Sequence, residues 1–440
     1  MAAPPTGILA RTSVSDTQFM KPIRKIRRDV VVVGGGAAGI AAAAGAAARG
    51  ARTMLAERYG FLGGAATNAG VLAYCGFYKQ GDQPIRVVEG IGGKVLSRLG
   101  ELGLDTTPIR APSGNWIVML EPEPVKYAFD GLAMQADIDC KLHCRLVGVE
   151  CAGARIVSTL FVDHLGQIEV EAGAFVDASG DANLGYAAGA QVISRVSDKR
   201  QTASMPVLIG GVDAAVPVDR ALIAQLVKTA GLHSSRGAIR AGGGSFIRLP
   251  VSRALWWHGV DVVTDGLSAD ELTAAEVEGR RLGWRFVELL KTSVPGFEGA
   301  YVALTGPQVG IRDSRQVVPR CPLEDQAILD GRQCSDGIAR GCWPAEVHHE
   351  LSGPTFSSIG GEGFFDVPLN AIRAAAIDNL WMGGRAVGCE PLAYGSIRVM
   401  GTAFATGHAA GVAAACQAAG NRPDDFLTVR KALAIQGAAI

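Results

Sequence analysis

Gly34, Gly36 and Gly39 occupy the three glycine slots of Gly34-Gly35-Gly36-Ala37-Ala38-Gly39, and Glu57 follows eighteen residues after the last of them. Residues of these types at this spacing can hold two phosphates and a sugar. Gly34 permits a tight turn, Gly36 lets a pyrophosphate approach the main chain, and Gly39 lets a helix lie close on a strand. Ala37 and Ala38 begin that helix, where unpaired N–H groups and the positive end of the dipole favour phosphate. A carboxylate at Glu57 can accept from a ribose hydroxyl and disfavours a 2′-phosphate. The pattern predicts a dinucleotide site of the FAD or NAD kind.

The elements that must position these residues are legible around them. Val30 to Val33 is a short β-branched run suited to a buried parallel strand. An alanine-rich helix follows and stops near Gly50, and a second strand over Arg52 to Ala56 delivers Glu57. Strand, helix and acid in register separate this from a flexible glycine turn. The uncharged run from Val30 to Ala48 contains five glycines, which is poor material for a membrane span.

The chain has 440 residues, enough for two or three domains. Basic and acidic residues balance at 42 each, so the charge argues for neither nucleic acid nor an anionic membrane surface. The 58 glycines and the low charged fraction of 19% point to close backbone approaches and large buried surfaces. Nine scattered cysteines without a Cys-x-x-Cys pair read as reduced thiols, and no leader-like apolar segment opens the sequence. The expectation is a cytoplasmic protein.

Residues 1–25 mix Pro, Ser, Thr and Lys without periodicity and read as a mobile arm. Residues 26–189 read as the first part of the nucleotide domain. Within them, Gly63-Gly64-Ala65-Ala66-Thr67, shortly after Arg58, is a second place where backbone can approach a ligand. Tyr74, Cys75, Phe77 and Tyr78 lie just beyond and read as core or as neighbours of a bound ring. The strand Phe175 to Ala178 ends in the small, acidic turn Ser179-Gly180-Asp181, at the edge where parallel sheets bind ligands. Residues 190–365 change texture, with helices expected over 218–230 and 268–290, and read as an inserted substrate domain. Residues 366–440 return to the first texture: a strand at Asn379 to Met382, Gly383-Gly384-Arg385, a turn at Tyr394 to Arg398, and a long helix of small residues over Thr402 to Ala419. The dipole of that helix would favour negative charge at the turn.

Taken together, GGGAAG with Glu57, GGAAT at 63–67, DASGD at 177–181, VGIRDSRQV at 309–317 and GGRAVGCEPLAYGSIRVMGTAFATGHAAG at 383–411 resemble the FAD-dependent oxidoreductases of the glutathione-reductase-like, two-domain flavoprotein group. The resemblance implies an α/β fold: a Rossmann-like FAD-binding domain, with a parallel sheet and a small β-meander, carrying an inserted α+β substrate domain. It implies that Gly34, Gly36, Ala37, Ala38 and Gly39 cradle the pyrophosphate and that Glu57, next to Arg58, binds the adenosine ribose. Gly63, Gly64, Ala65 and Thr67 would line the pyrophosphate and ribityl, and Val147 would meet the adenine through its backbone. Gly180 and Asp181 would close on the FAD. Gly384, Arg385, Ser396, Arg398 and Val399 would surround the ribityl and the pyrimidine edge of the flavin.

The resemblance places Arg312 near the flavin or an anionic substrate, with Tyr394 and Arg398 at the turn before the last long helix. A salt bridge within the domain is the other reading of Arg312. His348 and His349 are general acid/base candidates, since histidine titrates near neutrality. Glu346 and Glu350 stand beside them, but without a third well-placed ligand no metal is expected. A cysteine pair in the first helix and a second glycine fingerprint are both missing, which argues against nucleotide-driven disulfide reduction.

The expected activity is hydride transfer between a small organic substrate and flavin N5, with oxygen, NAD or a carrier as the electron acceptor. One alternative is a flavin-dependent monooxygenase or halogenase, although Asp265-Gly266 sits in a polar loop instead of a hydroxylase fingerprint. Another is a non-catalytic subunit stabilised by FAD. Oligomeric state is left open.

Overall fold

Val30–Val33 (β1) is buried on every side, as four consecutive β-branched residues between two parallel neighbours should be. The computed structural model describes residues 23–196, 199–213, 215, 217–348, 351 and 353–440. After β1 the chain forms helix α1 (Ala37–Ala48), then β2 (Thr53–Ala56), β3 (Asp139–Lys141), β4 (Ala174–Asp177) and β5 (Leu380–Met382). These strands make one parallel sheet in the order β5-β4-β1-β2-β3, with Val176 opposite Val32 and Val32 opposite Leu55. Their carboxyl ends share an edge. From it emerge the glycine turn after β1, Glu57 after β2, the Ala178–Asp181 loop after β4 and Gly383–Arg385 after β5.

Arg145–Ala152, Arg155–Asp163 and Gly166–Glu171 form an antiparallel meander. Arg24–Arg27 joins its edge, parallel to Gly166–Glu171. The expected arm over 1–25 is corrected there: Arg24 and Lys25 belong to a strand and pair with Asp163 and Glu169. Residues 1–22 lie outside the described residues.

Residues 203–311 build their own core around Trp257 and Phe286, whose rings stack 4.1 Å apart. It is enclosed by the sheet of Ser245–Arg248, Leu255–His258, Val207–Gly210 and Tyr301–Thr305, by a small three-stranded sheet, and by helix α2 (Ala269–Ser293). Ser268 caps α2 by accepting from Glu271 N, and Asp270 and Glu271 favour its positive end. Val317, Leu323, Ile328 and Phe365 pack instead into the core of the parallel sheet, so the segment 190–365 divides between two cores.

Helix α3 (Pro391–Ile397), with proline in its first turn, occupies the stretch expected as a turn. It meets helix α4 (Met400–Ala418) at 89°. Nearly every residue of α4 is buried, the state expected of a helix apolar all round. It packs on α1 without intervening side chains: a methyl group on Gly407 or Gly411 would lie 2.1 or 1.9 Å from the carbonyl oxygen of Ala38 or Ala42. Among the described residues no single helix is long and apolar enough to cross a membrane.

Candidate active site

One cavity of about 880 Å³ runs from the carboxyl edge of the parallel sheet to the inserted unit. Gly34, Gly36, Ala37, Ala38, Gly64 and Ala65 line its first end. Gly34 has φ +100° and Gly64 φ +58°, both in the region that favours glycine. A methyl group on Gly64 would lie 2.6 Å from the Cα of Gly36. Gly39 faces away, and a methyl group there would lie 1.7 Å from the oxygen of Gly34, so its task is close packing of helix on strand. Gly36 is the N-cap of α1 and supplies no side-chain acceptor, which leaves first-turn amides free for a ligand. This cradle, which side chains would fill, fits a pyrophosphate.

Glu57 is buried against the same turn. Its Oε2 accepts from Gly35 N at 2.6 Å and its Oε1 from Tyr59 N at 3.0 Å. The carboxylate therefore fixes the turn and still lines the cavity with lone pairs to spare. Arg58 also lines the cavity, its guanidinium 4.9 Å from the centre of the Tyr59 ring. Val147 falls where the register between its strand and the next shifts, so it is passed over in the ladder. A bulged residue keeps its backbone polar groups unpaired, here at the cavity wall.

Gly180, φ +80°, makes room for Arg385: a methyl group would come within 2.5 Å of its Nη2. That nitrogen donates to Asp181 Oδ1 at 3.2 Å, an oxygen that also accepts from Ser314 Oγ. Arg385 Nη1 and Asn68 Oδ1 are buried without a protein partner among the described residues, and both residues line the cavity. Gly384, Arg398 and Val399 line it too. Val399 is the N-cap of α4 and offers no side-chain cap, so the positive end of that helix opens on the cavity.

Other expected residues point elsewhere. Gly63 is outside the wall and donates its N–H to Gly35 O at 2.9 Å. Thr67 donates its hydroxyl to Leu62 O at 2.8 Å, away from the cavity. Ser396 is fully buried and donates to Trp343 O. Tyr394 is buried in α3, with its hydroxyl between the carbonyl oxygens of Arg312 (3.1 Å) and Arg385 (3.3 Å). Both shifts have one cause: the helix in place of a turn rotates Tyr394 and Ser396 into the core.

His349 lies outside the described residues. His348 is buried and off the cavity wall, with Nε2 2.9 Å from Glu346 Oε1. Burial, then the charge of Arg312, pulls its pKa down to about 3 against the pull of Glu346. Burial would raise the Glu346 carboxyl, but His348, Arg398 and Trp343 together hold it well below the usual range. The pair is neutral histidine donating to carboxylate, which suits orienting Glu346 and not exchanging protons with a ligand. Among the described residues no cluster of His, Cys, Asp or Glu could hold a metal.

The far wall sets the expected Arg312 among three groups absent from the sequence-based candidates: Arg240, His258 and Asp261. Arg240 forks onto Asp261 at 2.7 and 2.9 Å. Arg312 donates Nη1 to Thr202 O at 2.6 Å and to Asp261 Oδ1 at 3.3 Å, while its Nη2 lies 3.2 Å from His258 Nε2. Burial lowers Arg312 to about 10, so it remains a cation and a donor at neutral pH. His258 Nε2 must then accept, which places the ring proton on Nδ1. Burial, then Arg240 and Arg312, holds His258 well below its ordinary pKa, hence neutral. Strand alternation turns Trp257 into the second core and Trp256 and His258 toward the cavity. A histidine closing the apolar run Leu255-Trp256-Trp257 before Gly259 was the available signal.

A parallel sheet with a glycine cradle and ligand loops at one edge defines a dinucleotide-binding α/β protein. The chain matches the family model described as FAD dependent oxidoreductase over residues 29–432 and belongs to that family; its cofactor is FAD. A search of curated proteins returned no match. Among solved structures, the chain is similar to a geranylgeranyl bacteriochlorophyll reductase-like protein from Thermoplasma acidophilum, with 14% identity over 93% of this chain and 83% of that one and a TM-score of 0.48. It is also similar to a flavin-dependent brominase, with 14% identity over 92% and 83% and a TM-score of 0.48. A myxobacterial chondrochloren halogenase gives 13% identity over 93% and 79%, with a TM-score of 0.44.

Proposed function

We propose that this chain is an oxidoreductase that holds FAD along the glycine end of the cavity and a small organic substrate against the Arg240–His258–Arg312 wall, for hydride transfer between the two. The observation that carries the reading is that cradle and charged wall share one continuous cavity. FAD supplies the redox chemistry, and the protein supplies binding, orientation and charge.

In this reading Gly34, Gly36, Gly64 and the first amides of α1 take the pyrophosphate. Glu57 takes the adenosine ribose, and the main chain of Val147 takes the adenine. Gly180, Asp181, Gly384 and Arg385 hold the ribityl region. Arg398, Val399 and the positive end of α4 face the electron-rich edge of the ring system. The unit at 203–311 roofs the substrate and keeps water out. The electron acceptor is oxygen, NAD or a carrier, and the protein works in the cytoplasm.

The deciding experiment is an anaerobic screen of small organic donors against the FAD-loaded protein, following flavin absorbance. Bleaching by a donor supports the proposal. No bleaching by any donor, with oxygen use coupled to hydroxylation or halogenation of a substrate, would replace it with an oxygenase or halogenase. Bound FAD that no donor and no oxygen assay engages would make the chain a partner subunit.

A further inference from the structure

Arg240 and Arg312 both lean on one carboxylate. Asp261 is fully buried, and the two guanidinium groups that reach it are nearly so. Two cations against one anion leave a positive charge uncompensated in this wall. The neighbouring charges do not cancel it. Glu346 and Arg398 cancel only in the charge count: the charge of Arg398 acts on the Glu346 carboxyl, but its Nη2 donates to the Glu346 main-chain carbonyl at 2.9 Å and its Nε is buried without a partner among the described residues. His258 and His348 are neutral. Counted over Arg240, Arg312, Arg398, Asp261 and Glu346, the buried wall therefore carries one surplus positive charge, and a buried unpaired charge is costly until an anion meets it.

His258 stands in front of that charge. Arg312 occupies Nε2 as a donor, so the free position of the ring is an N–H on Nδ1, and this nitrogen has no protein partner among the described residues. Trp256, 5.4 Å from the His258 ring centre, gives the same stretch of wall a flat apolar flank. One N–H donor, one surplus positive charge and a flat flank suit a planar monoanion; a phosphate monoester would bring a second charge with no partner.

We propose, resting on the function proposed above, that the substrate carries a carboxylate, and that this group accepts from His258 Nδ1–H in the field of Arg240 and Arg312. His258 is then a substrate-binding and specificity-determining residue. With its proton on Nδ1 it donates to the substrate and does not serve as a base at that nitrogen.

The test uses FAD-loaded protein titrated at constant ionic strength with acetate and benzoate, and with acetamide and benzamide as neutral isosteres. Binding is followed by the flavin spectrum and, independently, by calorimetry. The carboxylates should bind at least about tenfold tighter than the amides, as a charge-assisted hydrogen bond implies. His258→Phe should weaken carboxylates about 10–100-fold, clearly more than it weakens the amides, and leave the FAD content unchanged, while His258→Gln, which keeps an N–H, recovers most of the loss. Equal binding of acid and amide, no binding of either carboxylate, tighter binding of inorganic phosphate, or indifference to His258→Phe would each overturn the inference. A protein bleached by a neutral donor but indifferent to carboxylates overturns this inference alone; a protein that takes up no FAD overturns the proposed function, and calorimetry still reads carboxylate binding in that case.

Discussion

The atom nearest to a methyl group built on Gly36 is the Cα of Gly64, 3.5 Å away, an ordinary van der Waals contact. Gly36 has φ −76° and ψ −170°, a conformation open to any residue. Nothing in the polypeptide itself excludes alanine there; only a ligand drawn close to the main chain would. Gly36→Ala should therefore keep the stability of the apoprotein within about 0.5 kcal/mol. It should weaken FAD by at least about tenfold, or roughly 1.4 kcal/mol. Urea unfolding of the apoprotein and an FAD fluorescence titration read the two effects separately. Unchanged FAD affinity would remove Gly36 from the cradle.

Arg385 keeps Nη1 buried and without a partner among the described residues while Nη2 holds Asp181. A donor left in that state is costly, so FAD is expected to satisfy it. Arg385→Met should raise the FAD dissociation constant about 10–100-fold, and Arg385→Lys should recover part of it, since lysine keeps the charge but not the planar fork. The release rate of FAD on dilution is the measurement. A methionine variant that retains FAD as the parent does would show that Arg385 only braces Asp181.

Gly407 and Gly411 differ from Gly36 because backbone, not a ligand, fills the space beside them. Methyl groups there meet Ala38 O and Ala42 O at 2.1 and 1.9 Å, too close without parting α1 from α4. Overpacking of this kind costs about 1–3 kcal/mol or more. Gly407→Ala should lower the urea midpoint of the apoprotein as well as FAD occupancy, whereas Gly36→Ala lowers only the second. An unshifted midpoint would mean that the two helices are free to separate.

These contrasts explain what the sequence made legible. Gly34, Gly36, Gly39 and Glu57 were readable because the need for absent side chains is written in consecutive positions, between a β-branched strand and an alanine helix. The parallel sheet and the meander follow from the same local patterns. The neighbourhood of Tyr394, Ser396 and Thr67 is legible in the sequence, but the direction of their side chains is not. Pro391 at the head of α3 was the cue to a helix, and a helix turns both α3 side chains inward. Arg240 and Asp261 left no local pattern, and the apolar run that His258 closes does not by itself point to a site. The three converge because Gly237–Ile239 pairs antiparallel with Val260–Val262, which places Asp261 opposite Ala238, and because only Gly259 and Val260 separate His258 from Asp261. That meeting is tertiary, and neither composition nor spacing records it.

His408 ties folding to pH. It is buried in α4 with Nε2 2.6 Å from Gln436 Oε1, and its ring would touch a methyl group on either Gly45 or Gly90. Burial lowers its pKa to about 4, with Lys94 acting in the same sense and Gln436 against it. His348, at about 3, behaves alike. Both are neutral when folded and protonated when unfolded below the ordinary histidine pKa of about 6.5. The unfolded chain therefore binds more protons in the window from about pH 6.5 down to 4, and stability rises with pH there. The slope approaches about 1.4 kcal/mol per pH unit for each histidine, and above the window the effect is constant. Asp261 and Glu346, held low by their partners, withdraw their support only at still lower pH, in the same direction. His408→Gln should unfold near about pH 5 with roughly one proton fewer taken up than the parent, read by calorimetry in buffers of different ionisation heat. An identical proton uptake would mean that His408 is already charged in the folded protein.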